Sequence, residues 1–97
     1  MRHEIVLAPE AIEDFKRLDA RSRATVKSAM ETHLRHEPEK LSRSRIKRLH
    51  DLKRPQYRLR VDDMRVFYDV VQGTVEVLAI VPKSRAEEWL RKWEEHE

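Results

Sequence analysis

The chain has 97 residues, 39% hydrophobic and 40% charged, enough for one domain (residues 1–97) around a single small core. With no Cys and one Gly, it excludes a disulfide scaffold, a zinc-cysteine site, a thiol nucleophile and a glycine-rich phosphate loop. The net charge of +3 hides an uneven distribution. Residues 43–60 carry Arg43, Arg45, Lys47, Arg48, Lys53, Arg54, Arg58 and Arg60 against Asp51 alone, a net +7, while residues 1–42 are balanced and 61–97 are acidic. Such a stretch suits a polyanion, because Lys and Arg that neutralise phosphates supply most non-specific nucleic-acid affinity.

In chain order, Ile5-Val6-Leu7 reads as a short strand. Pro9 then sits where a first helical turn tolerates proline, and Ile12, Phe15 and Leu18 follow at helical spacing. Asp19-Ala20-Arg21-Ser22 reads as a tight connection into a second helix with Val26, Met30 and Leu34 at intervals of four, ending near Pro38. Residues 39–55 read as a basic loop with at most a short strand near Ile46 to Leu49.

The period then changes to two. Tyr57, Leu59 and Val61 alternate with Arg58 and Arg60, which predicts a strand with one apolar and one basic face. Asp62-Asp63 reads as a turn, Arg65 to Val71 as a strand, Gln72-Gly73 as a hairpin turn, and Val75 to Val81 as a central strand closed by Pro82. Ser84 and Glu87 have capping-box spacing before a last helix carrying Trp89, Leu90 and Trp93 on one face. The predicted fold class is α+β, in the order β-α-α-β-β-β-α: an antiparallel meander with an N-terminal helical hairpin and a C-terminal helix.

Several residues have plain structural readings. Arg58 and Arg60 suit the solvent face of a strand, Arg65 a partner for Asp62 or Asp63, and Lys83 an ordinary loop. Trp89 and Trp93 suit a core or a protein contact better than a base-stacking platform. His33 and His36, three apart on a helix, lack Cys or carboxylate companions, so no metal site is expected; His50 is a minor acid–base candidate. No apolar run approaches the ~20 residues that cross a bilayer, and no leader is visible. A cytoplasmic protein without a membrane partner is expected.

The element order, the segment from Tyr57 to Tyr68 (YRLRVDDMRVFY) and the closing Leu78-Ala79-Ile80-Val81-Pro82-Lys83-Ser84 resemble the RelE/ParE superfamily of type II toxin–antitoxin toxins. The resemblance implies the RelE-like fold over essentially the whole chain and a cognate antitoxin as partner. Operator DNA would be bound only through that antitoxin. RelE-like members are ribosome-dependent endoribonucleases that cut mRNA; ParE-like members inhibit DNA gyrase. The RelE-like branch is the favoured expectation: a hydrolase-type mRNA interferase that blocks translation, with mRNA on the ribosome as substrate. The alternatives are a gyrase inhibitor and a non-catalytic antitoxin-binding relative.

Cleavage of the RelE kind uses 2′-OH attack on the adjacent phosphorus and no metal or cofactor. On this resemblance Arg65 is the stabiliser of transition-state charge, Arg58 and Arg60 occupy two basic strand positions often held by lysine, and Lys83 is a further basic residue after the last strand. Lys47, Arg48, Lys53, Arg54 and Arg85 are the implied RNA-binding set, and Trp89 and Trp93 the implied antitoxin contacts. Arg at 58 and 60 suits phosphate binding but makes a poor general base, because it stays protonated. The tyrosine that the RelE pattern has early in the last helix is absent, with Trp89 and Leu90 there instead; Tyr68 is the candidate substitute.

Overall fold

The computed structural model describes residues 2–50 and 52–95; Asp51, the lone acid of the basic stretch, and His96 lie outside the described residues. The elements are β1 (Glu4–Leu7), α1 (Pro9–Arg17), α2 (Ala20–Leu34), β2 (Ile46–Arg48), β3 (Tyr57–Val61), β4 (Met64–Val71), β5 (Thr74–Pro82), one 3-10 turn (Lys83–Arg85) and α3 (Ala86–Glu95). The sheet order is β1-β5-β4-β3-β2. Strands β3 to β5 form the expected antiparallel meander, and the short β2, in the stretch where the sequence allowed at most a short strand, extends it by antiparallel pairing with β3. The sheet as a whole is mixed, because β1 pairs in parallel with β5. This parallel edge adds to the expected architecture: the helical hairpin carries the chain from one edge of the sheet to the other, so β1 and β2 lie at opposite edges.

Period two along β3 works as the sequence predicts. Tyr57, Leu59 and Val61 are buried against the hairpin together with Val26, Met30 and Leu34 of α2 and Val66, Tyr68, Val75, Val77 and Ile80 of the sheet. In α1 the buried residue is Ala11, while Ile12 is 41% exposed. The expected apolar stripe holds at Phe15 and Leu18, which pack against the core, and Ala11 takes the place expected for Ile12. α1 packs against β5, and Ala11 is fully buried. Asp14 Oδ2 accepts from the Ile80 N–H at 2.9 Å, satisfying a strand donor that β1 is too short to reach.

The turns follow local chemistry. Asp19 caps α2 by accepting from the Ser22 N–H at 2.7 Å, so the connection is shorter than the four residues expected. Gln72 and Gly73 both have positive φ, 41° and 78°, the signature of the two-residue turn that matches strand twist. Asp62 also has positive φ, 51°, a conformation Asp tolerates better than most residues.

The opposite face of the sheet is covered by α3. Phe67, Leu78, Ala79, Val81 and Trp89 form a second buried cluster. Phe67 faces Ala79 and Tyr68 faces Val77, so Leu78 is an extra residue in β5. This bulge lets Leu78 and Ala79 join the same cluster. The capping box expected at Ser84 and Glu87 does not start α3: Pro82 caps the 3-10 turn without a side-chain bond, and Ser84 lies inside that turn.

Candidate nucleic-acid interface

The sheet face away from the helical hairpin carries the basic residues. Arg58 lies opposite Lys47 of β2 and Phe67 of β4, and Arg60 lies opposite Arg65. Directly paired residues share a face, so Lys47, Arg58, Arg60 and Arg65 are gathered on one surface. Phe67 forms its floor, covered by Trp89 with ring centroids 4.8 Å apart and planes inclined by 8°.

Two of these arginines are partly withdrawn from water. Arg65 is 7% exposed, and its Nη1 donates to the carbonyls of Asp62 and Met64, both at 2.9 Å. The β3–β4 turn thus aims this guanidinium through its carbonyls; the pairing with an Asp carboxylate that the sequence suggested is not formed. Arg58 Nε is buried without a hydrogen-bond partner. Burial, then the cations Arg65 and Arg60, pull the Arg58 guanidinium below its ordinary range. Burial and Arg60 do the same to Arg65, with Asp63 opposing. None of the three makes an ion pair among the described residues. A bound anion would supply the missing acceptor and relieve the repulsion.

The other expected site residues separate. Lys83 and Arg85 are exposed in the turn after β5, where the Lys83 N–H donates to the Asp63 carbonyl at 2.7 Å. That bond holds Lys83 beside the turn that orients Arg65. Arg48 lies over the Tyr57 ring, 5.2 Å from its centroid, and donates to the Gln56 carbonyl at 2.8 Å. Lys53 is exposed in the loop before β3. Arg54 pairs with Asp69 at 2.7 Å and Glu76 at 2.8 Å and lies 5.4 Å from the Trp93 ring centroid. Its charge is compensated, and it fastens the loop to β4, β5 and α3. Asp69, which the sequence reading missed, is the buried centre of that knot and also accepts from the Gln56 N–H at 2.7 Å.

The aromatic candidates divide likewise. Trp89 is 8% exposed, stacked on Phe67, with its indole N–H donated to Glu10. It sits in the core of this chain, in line with the core reading of the sequence, and Trp93 keeps a partly exposed flank. Tyr68 is fully buried on the hairpin side, where its hydroxyl donates to the Pro38 carbonyl at 2.6 Å. Burial, with Tyr57 and Glu39 nearby, pushes this phenol far above its ordinary range. It cannot replace the missing tyrosine, because the sheet separates it from the arginines.

A family profile described as "ParE toxin of type II toxin-antitoxin system, parDE" matches residues 5–87. Comparison with curated proteins yields no match. Among solved structures, a chain of the RelBE2 toxin–antitoxin complex from Mycobacterium tuberculosis superposes with TM-score 0.71 at 21% identity, covering 84% of this chain and 99% of that one. A chain of the archaeal RelE–RelB complex from Pyrococcus horikoshii gives TM-score 0.71 at 19% identity, covering 88% and 99%. A chain of the DinJ–YafQ toxin–antitoxin complex from E. coli gives 0.66 at 14%, covering 87% and 96%. At these identities the structural likeness speaks for the fold, which is RelE-like. Among the described residues, no helix is long and apolar enough to cross a membrane. The profile match spans most of the sequence, and on that ground the chain belongs to the ParE toxin family of type II toxin–antitoxin systems, within the RelE/ParE superfamily.

Proposed function

We propose that this toxin is an mRNA endoribonuclease that works on the ribosome, with the Arg58–Arg60–Arg65 face holding the scissile phosphodiester. The observation that carries this reading is the buried, partnerless Nε of Arg58 inside a group of cations that has no ion pair among the described residues. Such a group is costly in the free protein and becomes favourable once an anion enters. In 2′-OH attack, negative charge builds on the non-bridging oxygens of phosphorus. Guanidinium groups fixed in advance stabilise that charge without reorganising, and Arg65 is fixed by two carbonyls. Arg is a poor proton acceptor, so proton removal falls to an amine, Lys47 or Lys83, or to the ribosome. A site rich in charge stabilisers and poor in proton acceptors depends on outside alignment of the 2′-OH, which suits an enzyme active on ribosome-held mRNA.

A cognate antitoxin is the expected partner, as the toxin–antitoxin complexes among the structural relatives suggest. An acidic or amphipathic antitoxin segment would complement the cationic face. Primer extension on mRNA after toxin induction tests the catalytic reading. Cuts within translated codons, lost in Arg65→Ala, are expected; intact messages in arrested cells overturn it.

A second reading, a gyrase-directed inhibitor, is favoured by one observation: the position of the RelE-pattern tyrosine holds a Trp whose only donor is already committed to Glu10. It predicts loss of supercoiling by purified gyrase at micromolar toxin, and normal supercoiling there removes it.

A further inference from the structure

Arg60 ends the cationic face at the corner of the sheet where β3 runs past the start of β2. There the Arg60 N–H donates to the Arg45 carbonyl at 2.8 Å. Beyond this corner lie two open cavities of about 210 and 400 Å³ that share His33 and Arg45 in their walls. The larger also includes Ser44, Arg60 and Asp62, and the smaller Lys40 and Glu37. Together they form one groove running from Arg60, around the β2 edge, to the end of α2. Its shape is set locally: Ser42 Oγ accepts from the N–H groups of Arg45 and Ile46 at 3.0 and 3.2 Å, which turns the loop into β2 and places Arg45 midway along the groove.

The charge pattern indicates the kind of ligand. Arg45 and Arg60 make no ion pair among the described residues, and Lys40 has only the solvent-exposed Glu37 at 3.8 Å. The acids lining the groove, Asp62 and Glu37, stand near its two ends, leaving a cationic middle. We propose that this groove is a second phosphodiester subsite, in which Arg45, with His33 and Lys40, carries the single-stranded RNA that continues from the Arg58–Arg60–Arg65 cluster. The proposal rests on the reading of this toxin as one that engages RNA. His33 fits the role: burial and the Arg45 cation hold its imidazole below the ordinary histidine range, and a phosphate between the two would reverse the second effect. An extended chain of phosphates suits the groove better than a compact anion, because its cations are spread along a line and not focused on one point.

The test uses the intact toxin and 2′-O-methyl RNA oligonucleotides, which cannot react by 2′-OH attack, with binding read by fluorescence anisotropy. For a decamer, Arg45→Gln combined with Lys40→Gln is expected to weaken binding several-fold. It should also flatten the slope of log K against log salt by roughly 1.4, at about 0.7 per lost phosphate contact for single strands. A trinucleotide, too short to leave the arginine cluster, should bind both proteins alike. Lys16→Gln combined with Arg17→Gln, which removes the same two charges from the exposed face of α1, should alter neither. Equal decamer affinity and equal slope in wild type and the double variant overturn the subsite while leaving the RNA reading intact. Absence of binding by the wild-type toxin to any oligonucleotide, with no mRNA cuts in cells, overturns the RNA reading itself. Unchanged RNA binding with weakened antitoxin binding assigns the groove to the protein partner and likewise overturns the proposal.

Discussion

Arg60 and Arg65 stand directly opposite each other across β3 and β4, two like charges at adjacent positions on one sheet face. Cross-strand pairs of like charge cost about 0.2–1 kcal/mol, and burial of Arg65 raises the cost of its charge. The free toxin is therefore under electrostatic strain that an anion relieves.

From this pair comes the first prediction. Arg60→Gln should leave the free protein as stable as wild type or slightly more so, by up to about 1 kcal/mol. Sulfate or phosphate should raise the wild-type melting temperature more than that of the variant. Thermal melts with and without the anion, at constant ionic strength, check this; an equal anion effect in both proteins counts against a shared anion site.

Arg65 should matter to function more than its neighbours. Arg65→Lys keeps a charge but cannot hold two carbonyls and still present a planar fork. We expect cleavage to fall by about 10²–10³, the loss typical for removing one fixed charge stabiliser. Arg58→Lys should fall less, because an ammonium at that position still meets a phosphate. Cleavage rates on programmed ribosomes compare the two.

Asp69 is a stability residue. Asp69→Ala removes the buried acceptor of Arg54 and of the Gln56 N–H. Since Arg54 is half exposed, the expected loss lies below the range for fully buried pairs, at about 1–3 kcal/mol. Urea denaturation measures the loss. Fluorescence of Trp93, whose ring packs on Arg54, should change with it.

Asp14 supplies a pH-dependent contribution. Burial holds its carboxyl above the ordinary carboxylate range, in spite of the bond from the Ile80 N–H. A carboxyl raised on folding favours the native state while protonated, and that contribution is lost as pH rises through the folded value. Asp14→Asn keeps the acceptor without the charge. It should be as stable as wild type or more so at neutral pH, with the advantage vanishing below the carboxylate range. Denaturation midpoints at neutral and acidic pH read the sign.

Trp89 should tolerate little. Trp89→Ala opens a cavity under α3 and should cost about 3–5 kcal/mol. Trp89→Phe retains the stack on Phe67, loses only the donation to Glu10, and should cost about 1 kcal/mol. Guanidinium unfolding separates the two.

The alternating Tyr57 to Val61 run, the α2 stripe of Val26, Met30 and Leu34, and the turn at Gln72-Gly73 were legible because each depends on period or on local dihedral preference. The basic face was legible for the same reason: residues two apart on a strand point the same way. The exposed Ile12, the bond from Trp89 to Glu10 and the idle Ser84 were not, because packing between distant elements decides them. Glu10 and Trp89 are 79 positions apart, and no local pattern connects them.

Composition and periodicity by themselves determined an α+β domain with a cationic strand face and no thiol chemistry, since these follow from residue types and their spacing. Only the tertiary structure decided which cations stay without counter-charge. Arg54 is neutralised by Asp69 and Glu76 of β4 and β5, Arg65 is locked by its own turn, and Arg58 and Arg45 are left without an ion pair among the described residues. An arginine looks the same in a sequence whether it holds the fold or awaits a ligand; the difference lies in which carboxylates the fold brings to it.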